Sequence, residues 1–281
     1  MPELPEVEIT ARLLDRALSG AEVESALAPG VNALKTFDPP LAALEGRRVE
    51  HVGRRGKLLT IEFDLDLVAL IHLMSAGRLQ LFETRASLRD RTSRLLLRLS
   101  DGRELRLREF GTKQRAWVKL LRAAELGDEG TLASQGPEAW PDPPDLLELL
   151  DQPRPLYALL RDQHVIAGIG RSWVDEILHT AQLSPFKRGA DLEPDEAHRL
   201  RESMVGRLGD ALAHYEQVVA LPIPDKLPMP LTVHRRNGQP CPRCGDQLEA
   251  VFYEDYVMCY CPNCQTEGKV LKDRRLSRLL K

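Results

Sequence analysis

The sequence lacks any uninterrupted apolar run approaching the ~18 residues of a membrane span, which excludes a transmembrane helix. It also lacks the basic-then-apolar opening of a secretion signal. No cysteine occurs before residue 241, and all five fall between 241 and 264. That clustering excludes a disulfide framework spread through the fold and suits a metal site. Neither charge sign is in strong excess: 39 Lys and Arg against 42 Asp and Glu leave a net charge of −3. A surface for phosphates would have to come from local arginine concentration, not from the total. What remains is an expected cytoplasmic chain of 281 residues, with room for two domains and a small module.

The most informative stretch is Pro2-Glu3-Leu4-Pro5-Glu6-Val7-Glu8. Removal of Met1 would give Pro2 a free secondary amine with a pKa near ~8, so part of it is neutral and nucleophilic at pH 7. Such an amine attacks carbonyl-like carbons as a Schiff-base lysine does, and Glu3 is one residue away to move protons. Ordinary helix-start chemistry accounts for the same residues, because proline and acids both suit the positive end of a helix. From Glu6 to Ser19, Val7, Ala11, Leu14 and Leu18 recur at helical spacing, and Gly20 ends the run.

Residues 21 to about 123 read as β-rich. Leu58 to Phe63 and Leu67 to Leu73 are short apolar runs separated by acidic turn residues. Arg94–Ser100 and Arg103–Arg108 flank Asp101-Gly102, a hairpin signal, and alternation in the second predicts one buried and one wet face. A sandwich or barrel is expected. Arg54-Arg55-Gly56-Lys57 concentrates three cations before a strand, as either a phosphate-binding loop or a solvated edge. His72 follows a buried strand. Phe110 sits among cations and is either a wedge for base stacks or a core plug.

Residues 124–143, rich in Gly, Pro and acids, read as a linker. Helical patterns follow at 145–150, 156–163, 172–182 and 194–219. Val165-Ile-Ala-Gly168-Ile-Gly170 predicts a sharp turn with exposed backbone N–H groups before a helix, as either a phosphate cradle or plain helix-turn-helix packing. Cys241-Pro-Arg-Cys244 and Cys261-Pro-Asn-Cys264 are two C-x-x-C knuckles sixteen residues apart. Four thiolates at this spacing close a tetrahedral, structural zinc site, one per chain, across a β-hairpin. Cys259 reads as a strand side chain. The tail, with Lys269, Lys272, Arg274, Arg275, Arg278 and Lys281, is either a phosphate contact or an amphipathic cap.

In this order the pieces resemble the formamidopyrimidine-DNA glycosylase / endonuclease VIII family over essentially the whole chain. The resemblance implies an α+β fold: an N-terminal helix on a β-sandwich (1–123), the linker (124–143), a helix–two-turn–helix domain (144–230) and a zinc finger with basic tail (231–281). It further implies a monomeric, nucleoid-associated base-excision-repair enzyme that binds damaged double-stranded DNA in a cleft. Such an enzyme excises the damaged base and cuts the backbone by β,δ-elimination. Carried over by matching position, Pro2 would be the nucleophile, Glu3 the acid/base, Glu6 the residue orienting the amine and Lys57 a catalytic phosphate contact. Arg54, Arg55, His72, Met74, Arg108, Phe110, Gly168, Gly170, Arg171 and Glu176 would meet DNA.

The sequence departs from the family pattern at the lesion-recognition positions. Arg171 stands for an asparagine, Tyr157 for a lysine and Tyr256 for the finger's arginine, while Met74 lies one residue before the void-filling position. These changes touch recognition more than chemistry, and the preferred lesion and opposite base are not named by the sequence. They also motivate an alternative, a non-catalytic damaged-DNA-binding protein on the same scaffold.

Overall fold

The computed structural model describes all residues except Met1, Val31, Leu88, Arg89, Gly111, Thr112, Asp255 and 272–281, so the expectations for the basic tail beyond Leu271 lie outside the described residues. The chain divides into two compact units: Met1–Ser134 with Leu212–Pro228, and Gln135–Ala211 with Met229–Lys281. The seam near 134 lies inside the expected linker. The finger is not a unit of its own but shares one with the helices.

In the first unit, helix α1 (Leu4–Leu18) begins two residues before the expected start, because Pro5 is tolerated in a first turn where no N–H is needed. Its buried face carries Leu4, Val7, Ala11, Leu14 and Leu18. Eight strands form two antiparallel four-stranded sheets. The first sheet joins β2 (Val49–Arg55), β3 (Leu58–Phe63), β4 (Leu67–His72) and β8 (Trp117–Arg122) in that order. The second runs β1 (Val23–Leu27), β6 (Ser93–Leu99), β7 (Glu104–Glu109) and β5 (Gly77–Phe82).

Gly102, at φ +96, closes the expected hairpin between β6 and β7. The expected wet face of β7 is absent. Glu104 and Glu109 are fully buried and Arg106 nearly so. The charges are tolerated because they are paired: Glu104 takes Arg106 Nε at 2.7 Å, Arg98 Nε at 3.1 Å and the Ala86 amide at 2.7 Å.

Between the sheets and the second unit comes a single-turn helix, α2 (Gly130–Ala133). The second unit holds α3 (Leu146–Leu149), α4 (Leu156–Arg161), α5 (Arg171–Thr180), most of α6 (Pro194–Val218), the hairpin β9 (Glu249–Phe252) and β10 (Val257–Tyr260), and α7 (Pro262–Thr266). Leu200, Met204, Leu208, Ala211 and Tyr215 give α6 a buried stripe at helical spacing. The last turn of α6 belongs to the first unit. No helix among the described residues is long and apolar enough to cross a membrane.

Candidate functional site

The start of the chain is held by carboxylates. Pro2 is half-buried, while Glu3 and Glu6 are 1% and 2% exposed. Glu6, in the first turn of α1, reaches back so that its Oε2 accepts the Glu3 amide at 2.8 Å. Its Oε1 accepts the Tyr215 hydroxyl at 2.6 Å. Burial, followed by the negative charges of Glu6 and Glu3, raises the Tyr215 phenol above its ordinary range, so it stays a donor. Arg78 feels Glu6 and Asp225, although burial lowers it overall. Tyr215 and Arg78 were missed in the sequence. The stripe of α6 made Tyr215 legible as a core residue, but nothing local links it to Glu6, 209 positions away.

Gly56 and Lys57 are the two turn residues between paired Arg55 and Leu58, and Gly56 takes φ +56. Leu58 pairs with His72, so Lys57 and His72 sit at one end of the same sheet. Burial, reinforced by the Lys57 charge, pushes the His72 imidazole down to about 4. It is neutral at pH 7, and its Nδ1 accepts the Met74 amide at 2.8 Å. With His72, Met74 lines a cavity of about 320 Å³ together with Lys35, Trp117, Lys119 and Thr131. Arg54 is largely buried, and its Nε meets Glu8 on α1 at 2.6 Å. The guanidinium expected to face DNA thus braces β2 against the helix, while Arg55 stays half-exposed. Arg108 lies 4.7 Å from the Phe110 ring, which places the expected pair side by side, and it also meets Gln80 and Asp225.

In the second unit the glycine turn departs from expectation. Gly168, at φ +106, is buried, and its amide donates to Gln163 Oε1 at 3.0 Å. The Gln163 amide group returns to the Ile169 carbonyl at 2.8 Å. One glutamine staples the turn from inside, so the Gly168 N–H is not exposed for a phosphate. Gly170 caps α5, and Arg171 is its first residue.

Glu176 is also used internally. Its Oε1 accepts the amides of Thr232, Val233 and His234 at 3.0, 2.8 and 2.9 Å. Its Oε2 accepts Thr232 Oγ1 at 2.8 Å and meets Arg207 at 3.2 Å. A carboxylate 1% exposed and loaded with five donors anchors the chain entering the finger; it does not present itself to a ligand. Its neighbour Asp175, unremarked in the sequence, meets His234 Nδ1 at 2.6 Å and the Cys259 amide at 3.1 Å. Burial pushes it up to about 7 against the His234 interaction.

The ligand atoms of Cys241, Cys244, Cys261 and Cys264 all lie within 4.8 Å of one another. Two of the sulfur pairs are 3.9 and 3.5 Å apart. A tetrahedron with metal–sulfur bonds of about 2.3 Å has edges of about 3.8 Å, so the donor set fits such an ion. Burial raises the Cys261 thiol to about 11, so four thiolates can share this space only when a cation replaces their protons. His179 on α5 brings Nε2 to 3.1 Å from Cys241 Sγ, a contact of the kind that orients metal ligands. Cys259, buried in β10, takes the Arg235 amide at 3.2 Å and stands outside the set.

A family model, the formamidopyrimidine-DNA glycosylase N-terminal domain, matches residues 1–113. A formamidopyrimidine-DNA glycosylase of Chloroflexus aurantiacus is 32% identical over 278 residues, covering 94% of this chain and 98% of that protein. One of Geobacillus kaustophilus is 34% identical over 281 residues, covering 94% and 100%. Among solved structures, wild-type Lactococcus lactis Fpg (MutM) in complex with DNA containing N7-benzyl-Fapy-dG superposes with a TM-score of 0.84 at 25% identity. That match covers 94% of this chain and 100% of that one.

Proposed function

The chain belongs to the formamidopyrimidine-DNA glycosylase family, and from that premise we propose that it is a bifunctional DNA glycosylase and abasic-site lyase. The observation that carries the reading is the buried Glu6 carboxylate, fixed between the Glu3 amide and the Tyr215 hydroxyl. It gives the chain start a defined geometry, which a reacting amine needs.

In this reading Met1 is removed and the Pro2 nitrogen attacks the sugar C1′ of an everted nucleotide. The bond from C1′ to the base breaks, and the base leaves with the electron pair and a proton. Glu3 supplies the proton that opens the sugar ring, leaving an iminium between Pro2 and C1′. The iminium acidifies the C2′ proton; its removal expels the 3′ phosphate, and a second elimination expels the 5′ phosphate. Lys57 offers a cation to a phosphate beside the reacting sugar, and neutral His72 a ring N–H. Arg55, Arg108, Phe110, Met74, Gly170 and Arg171 complete the DNA-facing set. Arg54, Gly168 and Glu176 stay outside it, because their polar groups are used within the fold. The metal held by the four cysteines is zinc, and its role is structural because a closed four-sulfur site leaves no open position.

The test is incubation with oligonucleotides carrying oxidised purines, oxidised pyrimidines or abasic sites, with and without borohydride. Cleavage with both β and δ products, and a covalent adduct lost in Pro2→Gly, is expected. Salt-sensitive binding with no cleavage and no adduct would replace this reading with the non-catalytic one.

A further inference from the structure

The three positions at which the sequence leaves the family pattern meet in one cluster. Tyr157 on α4 and Tyr256, in the turn between β9 and β10, have ring centroids 5.9 Å apart and planes 11° from parallel. Tyr253 stacks on Tyr256 at 4.3 Å. The guanidinium carbons of Arg161, the last residue of α4, and Arg171, the first of α5, lie 4.3 and 4.9 Å from the Tyr256 centroid. Arg161 is also 5.1 Å from the Tyr157 ring.

Two cations that share one ring are within about one Debye length of each other, roughly 10 Å at 0.1 M salt, so their repulsion is not screened away. The ring quadrupole offsets part of it. An anion between them would offset the rest. A guanidinium lying over an aromatic face uses its flat side and keeps its N–H edge for a forked bond to an oxyanion. Tyr253 on one side and the guanidinia on the other leave Tyr256 no open face for a base, so the cluster selects a phosphate.

We propose that Arg161 and Arg171 form a two-guanidinium clamp on one phosphate of the DNA backbone, with Tyr256 as the platform that holds both. This rests on the DNA-processing reading above and deepens it. The positive end of α5 beside Arg171 adds to the attraction. Tyr256 acts as a positioning residue, and Tyr157 backs Arg161.

The experiment is binding of the full-length protein to a fluorescent duplex carrying a tetrahydrofuran abasic analogue, measured across a salt series. The Arg161→Gln/Arg171→Gln double variant is expected to bind about tenfold to a hundredfold more weakly at 100 mM salt. The slope of log K against log salt should fall by about 1, the count for a single phosphate. The two single variants should be less than additive, because they share that phosphate. Tyr256→Phe should keep the wild-type slope and Tyr256→Leu should follow the double variant, with thermal melts confirming that each is folded. An unchanged slope in the double variant, or a fall of about 2 from two separate phosphates, overturns the clamp. Borohydride trapping of the wild type separates the two readings: an adduct with an unchanged variant slope sinks the clamp alone. A wild type that neither traps nor binds the duplex sinks both.

Discussion

Glu6 and Glu176 are both glutamates buried in helices, one in each unit, and they are loaded differently. Glu6 takes one amide and one hydroxyl, both from groups that border the chain start. Glu176 takes three consecutive amides, a hydroxyl and an arginine. A carboxylate with few partners, set beside the first residues, positions something that reacts. One wrapped by a turn of backbone holds two segments together. The identity of the residue does not separate these roles, but the number and origin of its donors does.

The largest effect that tests this contrast is metal removal. A strong chelator is expected to abolish hydrogen-exchange protection in β9 and β10 while β3 and β4 keep theirs, since metal binding and local folding are linked. Equal loss in both units would break the comparison. Next, Glu176→Ala should lower stability to urea by about 3–5 kcal/mol, because Arg207 and three amides are left without their acceptor. Glu6→Ala should cost less stability but remove the borohydride adduct; the reverse pattern would invert the two roles.

Tyr215→Phe should cost about 1.5–3 kcal/mol, the range for a hydrogen bond to a charged group, with slower trapping as the second readout. The smallest effects are slopes against pH. His72 is held below its unfolded value of 6.5, at about 4, so its share of stability is present above 6.5 and is lost as pH falls toward 4. Asp175 is held above 3.8, at about 7, so its share is present below 3.8 and is lost as pH rises toward 7. Between pH 4.5 and 6.5, His72→Gln should tilt the stability profile downward with rising pH and Asp175→Asn should tilt it upward. Each tilt is at most about 1.4 kcal/mol per pH unit. Urea midpoints across that range decide it.

Much of this was legible from periodicity and spacing. The strand Leu58–Phe63, the start and end of α5 to within two residues, and the two cysteine knuckles follow from local patterns. What escaped was set by partners distant in sequence. Arg54 reads as a free cation until Glu8 is folded against it, and the amide of Gly168 reads as open until Gln163 turns back on it. Alternation in β7 predicted a wet face because it registers charge without registering that Arg98 and Arg106 neutralise Glu104. The cluster at Tyr256 was visible only as three unrelated substitutions.

The chain leaves its first unit at Ser134 and returns at Leu212, supplying Tyr215 to Glu6, a backbone carbonyl at Ile223 to Gln80, and Asp225 to Arg108. During synthesis, then, the amino-terminal helix is the earliest piece to leave the ribosome and among the last to be finished. Its reactive end has to wait for some two hundred further residues before the tyrosine that fixes it is made.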